Sequence, residues 1–126
     1  MAVKGLGDYD DNNVFAKILR GEIPCKKVFE DAFSLAFHDI HPLAPVHVLV
    51  IPKGKFVSVA DFTAKASDAE VAGFFRAVGT VARMLGLDAP GYRVLANMGE
   101  DAHQEIPHFH VHIFAGRPLG RMLAER

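Results

Sequence analysis

The stretch His108-Phe109-His110-Val111-His112-Ile113-Phe114 places three of the chain's seven histidines at alternate positions, separated by apolar residues. Successive side chains of a β-strand point to opposite faces of the sheet. The three imidazoles therefore share one face of a predicted strand, and the apolar residues between them share the other. We expect a strand that has one face in the core and leaves the other free for chemistry.

The composition bounds the class of protein. A chain of 126 residues, half of them hydrophobic, predicts a single domain with its own core. The formal net charge of -1 gives no global attraction to nucleic acid or to an anionic membrane, so neither is an expected partner. Cys25 is the only cysteine, which excludes an internal disulfide and a thiolate zinc site. The chain shows neither a membrane-length apolar run nor the apolar core of a signal peptide, so we expect a cytoplasmic protein.

Turn residues and hydrophobic periodicity divide the chain into predicted elements. A short helix over 14–20 follows a cap at Asn12 or Asn13, and a long helix follows the capping-box pattern Ser67-Asp68-Ala69-Glu70 and ends at Gly86. Strands are predicted over 26–30, 34–40, 46–51, 92–97 and 108–114. The order predicts an α+β fold with a mainly antiparallel five-stranded sheet and two helices, one short and one long. Residues 1–12 are predicted to be a flexible tail, and 13–126 a single domain.

Gly73 and Gly79 interrupt the long helix, where each glycine costs about 1 kcal/mol relative to alanine. Residues this small allow another backbone to approach closely. A second copy of the same helix would supply such a backbone, which indicates a dimer.

Three interpretations of the histidine stretch are open at this point. A structural role requires a hydrogen-bond partner for each imidazole, because an unpaired buried polar group is unfavourable. A metal site is limited by distance, since the outer two Cα atoms of the stretch lie ~13 Å apart at the usual strand rise. Two of these histidines together with His47, from the predicted strand 46–51, could still bind zinc.

The third interpretation is covalent catalysis at phosphorus. A neutral imidazole attacks phosphorus and forms an intermediate that water then cleaves. The central histidine needs one free ring nitrogen and an acceptor that holds the N–H of the other. Flanking histidines can orient it, donate to phosphate oxygens and protonate a departing group. The spacing favours this interpretation over a metal site.

The stretch also matches the histidine-triad signature His-φ-His-φ-His-φ-φ, where φ is a hydrophobic residue, at every position. Further matches follow in order along most of the chain: FAKILRGEIP (15–24), LAFHDI (35–40), APVHVLVIP (44–52), GYRVLAN (91–97) and GRPLG (116–120). The chain therefore resembles the histidine triad (HIT) family, and within it the nucleotide-binding branch known as HINT.

The resemblance implies a HIT-like fold and a purine nucleoside 5'-phosphoramidate hydrolase that acts as a homodimer without a metal or another cofactor. The middle histidine, His110, would attack the α-phosphorus and form a nucleotidyl-histidine intermediate, which water hydrolyses to a nucleoside monophosphate. His112 would contact the phosphate and assist the leaving group. His108 and His47 would hold the network in its geometry.

The resemblance also implies a nucleotide pocket. Asp39 matches the acid that accepts hydrogen bonds from the ribose hydroxyls, and Asn97 matches a polar contact near the phosphate. The apolar slot for the base matches Phe15, Ile18, Ile23, Phe37, His38 and Ile40. The loop before the triad adds Gln104, Glu105 and Ile106 to the predicted substrate contacts.

Glu105 departs from the best-known animal members, which carry a serine at this position. A carboxylate that pointed at an anionic phosphate would repel it. We expect the Glu105 side chain to face outward and to leave only its backbone N–H for the substrate. A preference for cationic leaving groups is the alternative. His103, nearby, is interpreted as a solvated loop histidine.

Other functions are open beside hydrolysis of the P–N bond. Within the same superfamily, the chain could hydrolyse dinucleoside polyphosphates or transfer nucleotidyl groups. A non-catalytic nucleotide-binding protein would bind AMP without turnover, and a metal-binding regulator is the third alternative.

Overall fold

A computed structural model describes residues 3–124. Residues 1, 2, 125 and 126, which belong to the predicted tail and domain, lie outside the described residues. Within 3–124, no helix combines the length and the hydropathy that a membrane span requires. The elements are α1 (Val14–Leu19), β1 (Lys27–Glu30), β2 (Ser34–His38), β3 (Val46–Pro52), α2 (Val59–Lys65), α3 (Asp68–Met84), β4 (Arg93–Leu95) and β5 (Val111–Ala115).

The strands form one antiparallel sheet in the order β1-β2-β3-β5-β4. β3 lies at the centre, as its continuous apolar sequence predicts, and all of its residues after Val46 are buried. β4 forms one edge of the sheet. The predicted α+β fold and its mainly antiparallel five-stranded sheet are confirmed.

The long helix and the short one begin at their predicted caps. Asn13 caps α1, and Ser67 and Glu70 form the reciprocal capping box of α3. The prediction of two helices is wrong, because α2 lies between β3 and α3. Ser58 caps this helix and Phe62 anchors it in the core, but its 7 residues are too few to show a clear helical period.

β5 begins at Val111 rather than at the predicted His108. Continuing the β3–β5 register past Val111 places Pro52 opposite Phe109, and proline has no N–H for the ladder. The Phe109 N–H donates instead to the Phe56 carbonyl at 2.7 Å. The first two histidines of the stretch therefore lie immediately before the hydrogen-bonded strand.

The two faces of the sheet carry separate hydrophobic clusters. On the helix face, α2 and α3 pack against β5 and the residues just before it. The apolar side chains that meet there are almost fully buried: Phe62, Phe74, Phe109, Val111 and Ile113. The opposite face carries a smaller cluster under α1, with members Phe15, Leu35, Phe37, Leu49 and Ile51. The rings of His110 and His112 lie on this second face, where His110 contacts Phe15. We call it the histidine face.

The glycines of α3 pack within a single chain. A Cβ built on Gly73 would lie 2.3 Å from the ring of Phe33. At Gly79 the nearest group to such a Cβ is the guanidinium of Arg83, 3.3 Å away. Gly73 is therefore small because Phe33 packs against it, and neither glycine is evidence for a second copy of the helix.

The predicted tail makes hydrogen bonds to the domain. Residues 3–12 contain no helix or strand. The Val3 N–H nevertheless donates to the Gln104 carbonyl at 3.1 Å, and the Ser58 hydroxyl donates to the Gly5 carbonyl at 2.6 Å. We call residues 3–12 the N-terminal strap.

Candidate active site

An open cavity of about 520 Å³ lies on the histidine face. The pairing of β3 with β5 sets His47 opposite Phe114, which brings His47 beside His112 although they are far apart in sequence. Eight of the residues predicted from the sequence line the cavity: Phe15, Asp39, His47, Asn97, Glu105, Ile106, His110 and His112. The structure thus places more than half of the predicted site residues around one cavity.

His110 presents a free ring nitrogen. Its Nδ1 lies 2.7 Å from the carbonyl oxygen of His108. Because a carbonyl only accepts, Nδ1 carries the proton and Nε2 keeps its lone pair. Burial lowers the pKa of His110 below its ordinary value, and the His108 carbonyl, Asp39 and Glu105 act in the opposite direction more weakly. The ring is therefore neutral at neutral pH and can act as a nucleophile.

His47 and His112 form a pair with one assignable tautomer. The Leu43 N–H donates to His47 Nδ1 at 3.1 Å, so His47 carries its proton on Nε2. That Nε2 lies 2.9 Å from His112 Nδ1, which must accept, and His112 then carries its own proton on Nε2. The result is a donor on His112 that is available to a ligand.

Both rings of this pair are neutral at neutral pH. Burial, together with the nearby His110 and His47, lowers the pKa of His112 to about 4. Burial also lowers the pKa of His47, although the neighbouring Asp39 opposes this shift. The ring centroids of His110 and His112 are 5.1 Å apart, so a group bound between them contacts both.

His108 lies behind the cavity rather than in it. Its side chain is fully buried, and its Nε2 donates to the Pro52 carbonyl at 2.9 Å. Its Nδ1 lies 2.6 Å from the hydroxyl of Tyr9. Burial lowers the pKa of His108 to about 4, so this ring is also neutral. Sequence reasoning missed Tyr9, whose only signal is an aromatic residue with a polar tip in a strap otherwise rich in glycine and aspartate.

Asp39 borders the cavity beside the histidine pair. One carboxylate oxygen accepts from the His41 N–H at 2.8 Å, and the other lies 3.5 Å from His47 Nε2. Ligand atoms of Asp39, His47 and His112 all lie within 4.8 Å of one another, a spacing that a metal ion could also bridge. Since the two imidazoles are already joined by a hydrogen bond, we interpret the group as a proton relay.

The remaining predicted contacts lie outside this cavity. Ile18 and Ile23 line a second cavity, and His38 and Ile40 line a third that shares Asp39 and His47 with the first. Phe37 is buried and packs edge-on against Phe15.

Gln104 is placed in the interior rather than at the substrate. Its side chain is 1% exposed. Its amide donates to the carbonyls of Val57 and Ile106 at 2.8 and 3.0 Å and accepts from the Gly99 N–H at 3.0 Å. All of this hydrogen bonding is internal, so Gln104 holds the loop rather than a ligand.

Glu105 lies at the mouth of the cavity. Its side chain is 71% exposed and 3.5 Å from Nε2 of His103, which is 81% exposed. This position agrees with the outward orientation expected from the sequence. Glu105 nonetheless contributes to the lining of the cavity.

Comparisons with known proteins agree with the fold. The HIT domain family model matches residues 20–119. A HIT-like protein of Azospirillum brasilense is 65% identical over 117 residues, which cover 93% of this chain and 96% of that protein. The purine nucleoside phosphoramidase of Escherichia coli strain K12 is 37% identical over 116 residues, or 92% of this chain and 97% of that enzyme. The structure of a HIT family hydrolase from Clostridium thermocellum has a TM-score of 0.82 at 37% identity, covering 90% of this chain and 99% of that chain.

This chain belongs to the HIT family. Its similarity to a HIT family hydrolase extends over most of its length.

Proposed function

We propose that this protein is a purine nucleoside 5'-phosphoramidate hydrolase that cleaves the P–N bond through a nucleotidyl intermediate on His110. The tautomer of His110 carries the proposal, because the His108 carbonyl 2.7 Å from Nδ1 leaves Nε2 free in the cavity. A neutral imidazole of this kind is a nucleophile toward phosphorus. The substrate class is supported by the phosphoramidase of Escherichia coli, which is 37% identical to this chain.

In the first step His110 Nε2 bonds to the α-phosphorus and the P–N bond breaks. The departing amine needs a proton, which His112 Nε2 supplies. An anionic phosphate beside His112 raises the pKa of that ring, so His112 gains a proton in the complex. Asp39, 3.5 Å from His47 Nε2, stabilises the positive charge that the pair then shares.

In the second step water attacks the phosphorus and the bond to His110 breaks. The neutral His112 left by the first step accepts the proton that the water loses. The products are a nucleoside monophosphate and an amine. His112 is then protonated as it was in the substrate complex, and it loses this proton when the monophosphate leaves.

The nucleotide is proposed to extend from the histidines toward α1. Asp39 is proposed to accept hydrogen bonds from the ribose hydroxyls, for which its cavity-facing position is suitable. Phe15, whose ring lies 5.1 Å from that of His110, provides apolar surface next to the phosphate. Asn97 and Ile106 line the same cavity and are proposed as further contacts. The residues of the neighbouring cavities, Ile18, Ile23, His38 and Ile40, are proposed to serve the base.

The charge of the cavity favours a phosphoramidate over a dinucleoside polyphosphate. The described residues that line the cavity include no lysine or arginine, but they include two acidic residues, Asp39 and Glu105. A polyphosphate chain with several negative charges would lack cationic partners here. A phosphoramidate monoester carries a single negative charge, which the Nε2–H of His112 can bind.

We also propose that the protein is a homodimer and that it acts in the cytoplasm. β4 is an edge strand in which Val94 is 42% exposed, and Tyr92 just before it is 37% exposed. A strand edge that carries exposed apolar residues favours association. Sedimentation that shows only monomer at micromolar concentration would contradict the dimer.

The mechanism is tested by trapping the intermediate. Mass spectrometry of enzyme quenched during turnover of adenosine 5'-phosphoramidate should show one nucleotidyl group on His110. His110→Ala should lose both the adduct and the turnover. A parallel assay with diadenosine tetraphosphate distinguishes a phosphoramidate hydrolase from a dinucleoside polyphosphate hydrolase. AMP binding without any turnover would indicate a non-catalytic protein. Full activity of His110→Ala would disprove the covalent mechanism.

A further inference from the structure

The N-terminal strap is attached to the domain on both sides of Tyr9. Before Tyr9, Val3 bonds to the Gln104 carbonyl and Gly5 accepts from the Ser58 hydroxyl. After it, Asp11 lies 2.8 Å from the ammonium group of Lys55. These contacts hold the intervening Tyr9 against the back of the histidine cluster.

The Tyr9 hydroxyl donates to a ring nitrogen of His108 that has no other partner among residues 3–124. His108 Nε2 must carry a proton, because its partner 2.9 Å away is the Pro52 carbonyl. Nδ1 of the neutral ring is then an acceptor, and the Tyr9 hydroxyl 2.6 Å away is its donor. Burial raises the pKa of Tyr9, so the phenol keeps this proton. The two rings also meet edge to face, with centroids 5.5 Å apart.

The same histidine holds the nucleophile. The His108 main-chain carbonyl accepts the Nδ1–H of His110 at 2.7 Å, which leaves Nε2 of His110 free. Phe15 packs edge-on against both imidazoles, at 6.2 Å from His108 and 5.1 Å from His110. A shift of the buried His108 ring would therefore disturb the Phe15 packing and strain the backbone whose carbonyl orients His110.

We propose that Tyr9 is a positioning residue: its hydroxyl fixes the orientation and tautomer of His108 and, through the His108 carbonyl, the ring of His110. The effect on turnover rests on the proposed function, whereas the effect on the two rings does not. Without the hydroxyl, the fully buried His108 would keep an unpaired acceptor, and the ring would move to find a donor.

Tyr9→Phe tests the hydroxyl while keeping the aromatic ring. We expect kcat for adenosine 5'-phosphoramidate to fall about tenfold, part of the ~10²-fold loss that a displaced catalytic group can cause. KM should stay unchanged because Tyr9 does not line the cavity. The matched control is Asp11→Asn, which weakens the contact of the strap with Lys55 but keeps the hydroxyl, and it should retain the parent kcat.

Nitrogen-15 NMR of the histidine side chains provides a readout that does not depend on turnover. In the parent protein, His108 should show a protonated Nε2 and a hydrogen-bonded Nδ1 that couples to the Tyr9 hydroxyl proton. Tyr9→Phe should shift the Nδ1 resonance of His108 and also alter the resonances of His110. If the parent shows no phosphoramidase activity, the proposed function fails while these spectra still decide the role of Tyr9.

Three results would overturn the proposal. One is a folded Tyr9→Phe variant with the parent kcat and unchanged His110 resonances. Another is an equal loss of kcat in Tyr9→Phe and Asp11→Asn, which would mean that attachment of the strap matters and the hydroxyl does not. The third, which needs no variant, is the absence of a hydrogen-bonded Tyr9 hydroxyl proton in the parent protein.

Discussion

The two faces of the sheet use the same strands for different purposes. On the helix face, Phe109 stacks on Phe62 with centroids 4.8 Å apart, and each side chain is at most 2% exposed. On the histidine face, every imidazole nitrogen of His47 and His108 has a named partner, while His110 and His112 each keep one nitrogen for a ligand. One face of the sheet is therefore packed with apolar side chains, and the other holds a cluster of neutral imidazoles. We expect stability and turnover to respond separately to changes on the two faces.

The largest expected effect is on the helix face. Phe62→Ala removes a fully buried ring that contacts Phe56, Phe74 and Phe109. We expect the free energy of unfolding to fall by about 4 kcal/mol, because both burial and packing are lost. Urea unfolding measures this loss. The kcat of the protein that stays folded should equal that of the parent, and a large fall in this kcat would show that the faces are coupled.

The corresponding change on the histidine face is His112→Gln. It removes the proposed acid but keeps a polar side chain beside His47. We expect kcat to fall about 10²-fold, the lower range for general acid catalysis. The free energy of unfolding should change by less than about 1 kcal/mol, since His112 is only partly buried. Steady-state kinetics measures kcat, and urea unfolding of the same samples measures the free energy of unfolding. Parent-level kcat would exclude His112 as the proton donor.

The smallest of these effects is the dependence of stability on pH. Burial lowers the pKa values of His108 and His112 from 6.5 to about 4 in the folded protein. The unfolded chain therefore binds more protons between these values, and stability that is complete above pH 6.5 is lost as the pH falls toward 4. We expect the free energy of unfolding to be about 2 kcal/mol lower at pH 5.5 than at pH 7. Urea unfolding at the two pH values measures it, and His112→Gln should show a smaller difference. Stability that rises on acidification would contradict neutral buried rings.

Much of the architecture was predictable because its signals are local. Alternation placed the residues of β5 on two faces, and a capping box placed the start of α3 at Ser67. α2 was missed because a helix of 7 residues has no clear period, and the start of β5 was missed because it depends on Pro52 of another strand. The sequence resemblance located most of the cavity residues. It placed Gln104 at the substrate, although the loop folds so that this amide bonds only to the protein interior.

The spacing in residues 108–114 predicted three imidazoles on one side of a strand, because side-chain direction alternates with every residue. In the structure only His112 lies within the strand, while His110 shares its face and His108 lies behind the cavity. The spacing could not assign a different role to each histidine. That depends on partners from distant parts of the chain: the Pro52 carbonyl and Tyr9 for His108, and His47 for His112. A histidine tautomer is set by what each nitrogen meets in space. The proposed nucleophile, the proposed donor and the supporting ring are therefore distinguished only once the chain has folded.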